Sequence, residues 1–240
     1  PPPPPPRREA SQNDIPIVIA TTVWIEDIYE VLMKLDYPED RIYFPFPFRE
    51  QYFGEPFCGP VPNEVYIDAG AYDGGSVYRF LRFCGGDYKK IYAFEPDADN
   101  LKLIAKQHDF SNENVQIIAK GAHRRADTLS FYSAAGSSQI DGAGSETIDV
   151  AAIDDVVGDD AVTLIKMDIE GSELDALAGA KRTIVRNKPR LAICVYHKPE
   201  DILTIPLYIK SLVPEYRFYL RHYQCYRMIP NYCETVLYAV

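Results

Sequence analysis

The chain has 240 residues, 47% of them hydrophobic, and a formal net charge of −10. That is enough apolar material for a full core, without any apolar run near the roughly 20 residues needed to span a bilayer. The acidity argues against nucleic acid as a partner, because phosphate binding needs a basic surface.

The hexaproline start, Pro1 to Pro6, has no initiating Met and reads as a stiff polyproline II tail on a trimmed or tagged chain. Ile15 to Ala20 then reads as a strand, and Arg41 to Phe46 as another. Between them Trp24 to Leu35 has Ile25, Ile28, Leu32 and Leu35 at helical spacing. This small βαβ unit suggests that residues 1–60 are the remnant of an upstream α/β domain. No signal peptide precedes the first strand, so the expectation is a soluble, cytoplasmic protein with no membrane partner.

A longer alternating series occupies residues 61–240. Strands are expected at 65–69, 91–94, 115–119, 163–168 and 191–196, and helices at 76–84, 97–107, 173–187 and 200–212. A polar, glycine-rich excursion from His123 to Thr147 interrupts them, read as a hairpin built on Thr128 to Tyr132. Its Gly136, Gly142 and Gly144 suit a loop that covers a site, or an ordinary solvated hairpin. Arg217 to Tyr223 and Glu234 to Val240 are strands too close for a crossover helix, so they should pair antiparallel. The five cysteines, at 58, 84, 194, 225 and 233, are odd in number and form no C-x-x-C pair, which fits reduced thiols rather than a zinc site.

The chemistry concentrates at strand ends. Val65 to Ala69 runs into Gly70-Ala71-Tyr72-Asp73-Gly74-Gly75-Ser76, an acidic residue and a glycine-rich turn opening a helix. A dinucleotide fingerprint would read G-x-G-x-x-G, and here the middle glycine is missing. Strand 91–94 ends in Glu95-Pro96, a carboxylate suited to two ribose hydroxyls. Asp68 before the first glycine suits a cationic ligand, such as the sulfonium and ammonium of S-adenosylmethionine. Glycine-rich strand ends also occur as plain tight turns.

Strand 163–168 continues as Lys166-Met167-Asp168-Ile169-Glu170-Gly171-Ser172-Glu173, whose alternation sends Lys166, Asp168 and Glu170 to one side. Polar groups at a parallel strand's carboxyl end line the ligand crevice of an open sheet, although a Lys–Asp pair followed by a helix cap would read the same. The next strand ends in Tyr196-His197, and histidine is the side chain that exchanges protons near neutrality.

Asp68-Ala-Gly-Ala-Tyr-Asp-Gly-Gly-Ser76, Phe94-Glu95-Pro96, Lys166-Met-Asp-Ile-Glu-Gly-Ser-Glu173, Tyr196-His197, Tyr219-Leu-Arg-His-Tyr223 and Glu234-Thr-Val-Leu-Tyr238 follow in unbroken order. Together they resemble the FkbM-type methyltransferases. The resemblance implies a class I, Rossmann-like α/β fold: a mostly parallel seven-stranded sheet with a C-terminal antiparallel hairpin. It implies S-adenosylmethionine as cofactor and methyl transfer to oxygen on a small-molecule or saccharide acceptor. By position, Asp68, Gly70, Gly74 and Glu95 would bind the cofactor, with Ala71, Pro96, Gly121 and Asp168 completing that set. Asp168 and His197 would face the transferred methyl.

For a hydroxyl acceptor the base would be His197 first and His222 second, with Lys166 orienting the acceptor or supporting Asp168. Asp168, Glu170, Glu173 and His197 could gather round a divalent cation, but nothing in their spacing fixes three ligands on one centre, so no metal is assigned. A non-catalytic cofactor-binding module and a nicotinamide-dependent oxidoreductase stay open beside the methyltransferase.

Overall fold

The computed structural model describes residues 17–18, 34, 42–43, 51–54, 57–111, 113–132, 139–140, 146–224 and 233–240. Its contacts divide the chain into two units, residues 1–50 with 222–234, and residues 51–221 with 235–240. In the first, Ile17–Val18 (β1) and Ile42–Tyr43 (β2) pair in parallel, and Lys34 between them is helical. A parallel pair needs a crossover, in keeping with the expected βαβ order. The rest of that unit's expected elements lie outside the described residues.

In the second unit, Glu64–Ala69 (β3) is buried at every position, as a central strand covered on both faces must be. The chain continues through Gly75–Phe83 (α1), Tyr88–Phe94 (β4), Ala98–Gln107 (α2) and Val115–Ile118 (β5). Asp97 caps α2, its side chain accepting from the amides of Asp99 and Asn100. Gly121–Ala122 (β6), Asp127–Tyr132 (β7), Gln139–Ile140 (β8) and Glu146–Ala151 (β9) form a separate sheet in the order β6-β9-β7-β8. β7 and β8 pair antiparallel as the expected hairpin, with β9 antiparallel on the other edge of β7, but Gly136, Gly142 and Gly144 lie outside the described residues.

Then follow Ile153–Val157 (α3), Leu164–Met167 (β10), Glu173–Gly179 (α4), Lys181–Asn187 (α5), Arg190–Cys194 (β11), Asp201–Leu212 (α6), Phe218–Gln224 (β12) and Cys233–Ala239 (β13). Where one helix was expected over 173–187 there are two. The break has a local cause: Asp154, from α3, accepts from the amides of Arg182 and Thr183, so a side chain from another element caps α5.

The main sheet runs β12-β13-β11-β10-β3-β4-β5. β13 lies antiparallel to β11, while β11, β10, β3, β4 and β5 pair in parallel. This is the class I methyltransferase arrangement with its C-terminal antiparallel hairpin. The chain moves outward one way from β3 to β5 and the other way from β10 to β11, so the order reverses between β3 and β10. Open α/β sheets bind ligands in the crevice at such a reversal. Ile67, Ile165, Met167, Leu177, Ile193 and Ile205 belong to the core cluster that holds these strand ends rigid. No helix among the described residues is long and apolar enough to cross a membrane.

Candidate functional site

At the end of β3 the chain turns through Gly70 at φ +90°, Tyr72 at φ +50° and Gly74 at φ +84°. Gly70 cannot be replaced, because a Cβ there would stand 1.9 Å from the Asp168 carbonyl oxygen. Gly74 faces the His108 ring, 2.8 Å from where its Cβ would be. The amides of Gly70 and Ala71 both donate to the Phe94 carbonyl, at 3.1 and 3.0 Å. A left-handed Tyr is uncommon and marks a turn held by its surroundings.

Beneath this turn lies a buried ion pair. Asp68 and Lys166 are register partners across β3 and β10, with Lys166 Nζ 3.1 Å from Asp68 Oδ1 and their side chains 0% and 3% exposed. Ser76 Oγ donates to the other Asp68 oxygen at 2.5 Å, and Lys166 Nζ also donates to the Gly70 carbonyl at 2.7 Å. The cation that Asp68 meets in the structure is therefore Lys166. Both side chains act on the turn from inside, whereas the sequence reading put Asp68 against the ligand and Lys166 either beside the acceptor or in support of Asp168. Burial alone would lower the Lys166 pKa, but the Asp68 and Asp168 charges outweigh it and raise it.

Glu95 joins the turn to β4. Its Oε2 accepts from the Tyr72 amide at 2.8 Å, and its Oε1 from the Asp97 amide at 3.0 Å and Asn100 Nδ2 at 3.2 Å. A carboxylate has about four acceptor positions, so these donors leave room for a further one. Burial raises the Glu95 pKa, and these hydrogen bonds offset only part of the rise. Gly121 sits beside Pro96: a Cβ on it would lie 3.8 Å from the proline Cγ and 3.1 Å from Val150. Ala71 is buried, 1% exposed, in the turn itself.

The second cluster sits at the ends of β10 and β11. Asp168 Oδ2 accepts from Tyr52 Oη at 2.9 Å and Oδ1 from Tyr196 Oη at 3.2 Å. The Tyr196 ring packs on the His197 imidazole at 4.1 Å. His197 Nε2 lies 3.4 Å from Asp168 Oδ1 and 3.6 Å from Glu170 Oε2, and its Nδ1 lies 2.9 Å from Glu173 Oε1. Glu173 also accepts from the Ile169 amide at 2.9 Å, which holds it over the start of α4. Glu170 adopts φ +55° and Gly171 φ +93°, which turns the chain sharply between strand and helix. Burial would lower the His197 pKa, but Glu173 beside it, with Asp168 and Glu170, pushes it up to about 9. Burial would raise Asp168, yet Lys166, His197 and the Tyr52 hydroxyl hold it below the usual carboxylate range.

Of the predicted residues, Asp68, Gly70, Ala71, Gly74, Glu95, Pro96 and Lys166 gather round the turn, with Gly121 against Pro96. Asp168 and His197 gather beside it; of His222 only its place on β12 is described. Sequence reasoning missed Tyr52, Asn100 and the Tyr196 hydroxyl. Asn100 was findable as the residue five after Glu95 on a helix start, but nothing local marks Tyr52, which reaches Asp168 across 116 positions. Among the described residues the cluster carries the carboxylates Asp68, Asp168, Glu170 and Glu173 against the cations Lys166 and His197. Such an excess of negative charge in low dielectric favours a cationic guest.

A family model described as a methyltransferase FkbM domain matches residues 68–225. The crystal structure of methyltransferase FkbM from Methylobacillus flagellatus KT is 32% identical, with a TM-score of 0.65, over 81% of this chain and 48% of that one. The present chain thus spans about half the length of that protein. A precorrin-6y C5,15-methyltransferase from Geobacter metallireducens is 10% identical over 81% of this chain and 96% of its own, with a TM-score of 0.47. Fibrillarin from Aeropyrum pernix, with S-adenosylmethionine natively bound, is 12% identical over 75% and 67%, with a TM-score of 0.45. No curated protein matches the sequence.

Proposed function

This chain belongs to the FkbM methyltransferase family, and on that premise we propose that it is an S-adenosylmethionine-dependent O-methyltransferase acting on a small-molecule or saccharide hydroxyl. The observation that carries the reading is the glycine turn at the strand-order reversal, clamped between Glu95 and the Asp68–Lys166 pair beside an anionic cluster. In this reading Glu95 accepts from the ribose, and the turn of Gly70, Ala71 and Gly74 lets the cofactor approach the backbone, with Pro96 and Gly121 beside the base. Lys166 and Asp68 hold the turn without touching the cofactor. The carboxylate excess, Asp168 foremost, matches the sulfonium and ammonium charges.

Transfer from a sulfonium is a direct displacement, so holding acceptor, methyl carbon and sulfur in line can supply roughly 7–11 kcal/mol. The acceptor's proton goes to neutral His197, a minority form at neutral pH given a pKa pushed up to about 9. An acidic chain suits a small acceptor better than nucleic acid.

The test is thermal unfolding with ligands. S-adenosylmethionine or S-adenosylhomocysteine at 100 times its Kd should add about 2.7 kcal/mol, a rise in Tm of roughly 5–11 °C for a chain of this size. No shift with either, alongside a clear shift with NAD or NADP, would favour the oxidoreductase and overturn this reading. A shift without transfer of labelled methyl to any of a panel of sugars, polyketides and hydroxylated lipids would leave the non-catalytic module.

A further inference from the structure

Helix α6 buries Ile205 and Ile209 in the core, both 0% exposed. A surface helix whose apolar stripe faces inward is polar on its outer side. α6 departs from that pattern, because Leu203 and Leu207 stand on its outer face, 66% and 70% exposed. Residues four apart are neighbours on a helix, so the two leucines form one patch. It continues onto β12. Lys210 of α6 lies over the Phe218 ring, and strand alternation puts Leu220, which is exposed, on the same face as Phe218. An exposed apolar patch with a polar rim marks a contact surface.

The charges at the rim say what covers it. Glu200, at the N-cap of α6, and Lys210, near its C-terminus, are both exposed and extend the leucine row. The row reads Glu200, Leu203, Leu207, Lys210, with steps of three, four and three, which is the seam spacing of paired helices. Glu200 makes no side-chain capping bond. Lys210 Nζ donates to the Tyr216 carbonyl at 2.9 Å, which uses one of the three donors of an ammonium. A half-turn about the level of Ile205 sets Leu203 opposite Leu207 of a second copy, and Glu200 opposite its Lys210. Parallel pairing would instead bring like charges together at both ends. A row that is its own antiparallel complement fits a second copy of this chain, through a two-fold contact.

We propose that two copies of this chain associate through antiparallel pairing of α6, with the leucines at the centre and a Glu200–Lys210 pair at each end. One helix pair with Leu220 beside it is small for a specific interface, so the association is concentration-dependent rather than obligate. The surface includes none of the candidate site residues, and the pairing stands whether or not the chain transfers methyl groups.

Sedimentation equilibrium of the whole 240-residue chain, from micromolar to sub-millimolar concentration, tests the pairing. A monomer–dimer equilibrium is expected. Leu207→Glu should abolish it by setting carboxylates in the apolar centre. Glu200→Lys and Lys210→Glu should each weaken it roughly tenfold, because both end pairs turn from attraction to repulsion. The two substitutions in one chain should restore it. Circular dichroism checks each variant, and should Leu207→Glu fail to fold, the charge variants decide. A chain that stays monomeric throughout overturns the pairing and leaves the patch to another kind of partner. A dimer untouched by Leu207→Glu, or one that the double charge variant does not restore, overturns it as well. Failure of the wild-type chain to bind S-adenosylhomocysteine in calorimetry would sink the methyl-transfer reading and leave this one intact.

Discussion

Asp68 and Lys166 face each other across β3 and β10 with almost no exposed surface, so either charge alone would be stranded. Lys166→Met should cost about 3–5 kcal/mol of stability, the usual penalty for orphaning half of a buried pair, read as a shift of the urea midpoint. Asp68→Asn in the same chain should recover much of that loss, since it removes the stranded charge; no recovery would show that the Gly70 contact matters more than the pair. Glu95→Ala should weaken cofactor binding by about 1.5–3 kcal/mol through loss of a charged acceptor, measured by calorimetry. The pH dependence has a definite sign. Burial raises the Glu95 pKa, so as pH falls the carboxylate is protonated, and affinity is lost, earlier than for an ordinary glutamate. Glu95→Gln should flatten that part of the profile.

The N-terminal half of the broken α4–α5 pair ends at Gly179, in a helix packed directly against backbone. A Cβ at Gly179 would stand 2.0 Å from the His123 carbonyl oxygen. In an exposed helix, Gly→Ala gains about 1 kcal/mol. Here the sign should reverse, and Gly179→Ala should lower the urea midpoint, because a carbonyl cannot move aside as a flexible side chain can. A stabilised variant would mean that β6 and the turn after it yield readily.

At the scale of the whole chain, the unit that carries the main sheet begins at Gln51, ten residues before the boundary expected from sequence. Tyr52, Phe53 and Cys58 are 3%, 6% and 0% exposed. Phe53 meets Tyr66 and Phe80 edge-on at 5.6 and 5.7 Å, while Tyr52 bonds to Asp168. Removing residues 1–60 should therefore cost more than removing 1–50. Losing one buried aromatic ring typically costs about 3–5 kcal/mol, so differential scanning calorimetry should show a clearly lower Tm for the shorter chain. Equal Tm values would place the boundary at residue 60.

By itself the sequence determined the seven strands of the main sheet and the helices α1, α2 and α6, since buried strands and amphipathic helices are written in local periodicity, but not α3 or the break between α4 and α5. It also determined the glycine turn, where only a residue without Cβ fits beside the Asp168 carbonyl, but not the side to which Lys166, Asp168 and Glu170 point, because β10 ends at Met167 and Glu170 turns at φ +55°. What only tertiary structure decided is which charges meet. Lys166 turns inward to Asp68, Tyr52 arrives from a segment with no local signal, and Asp154 caps a helix 28 positions away. Asp168, Glu173 and His197 converge because β10 and β11 end side by side. Periodicity reports which face of an element is buried, but a partner distant in sequence leaves no trace in it, because the pairing is set by strand order and register.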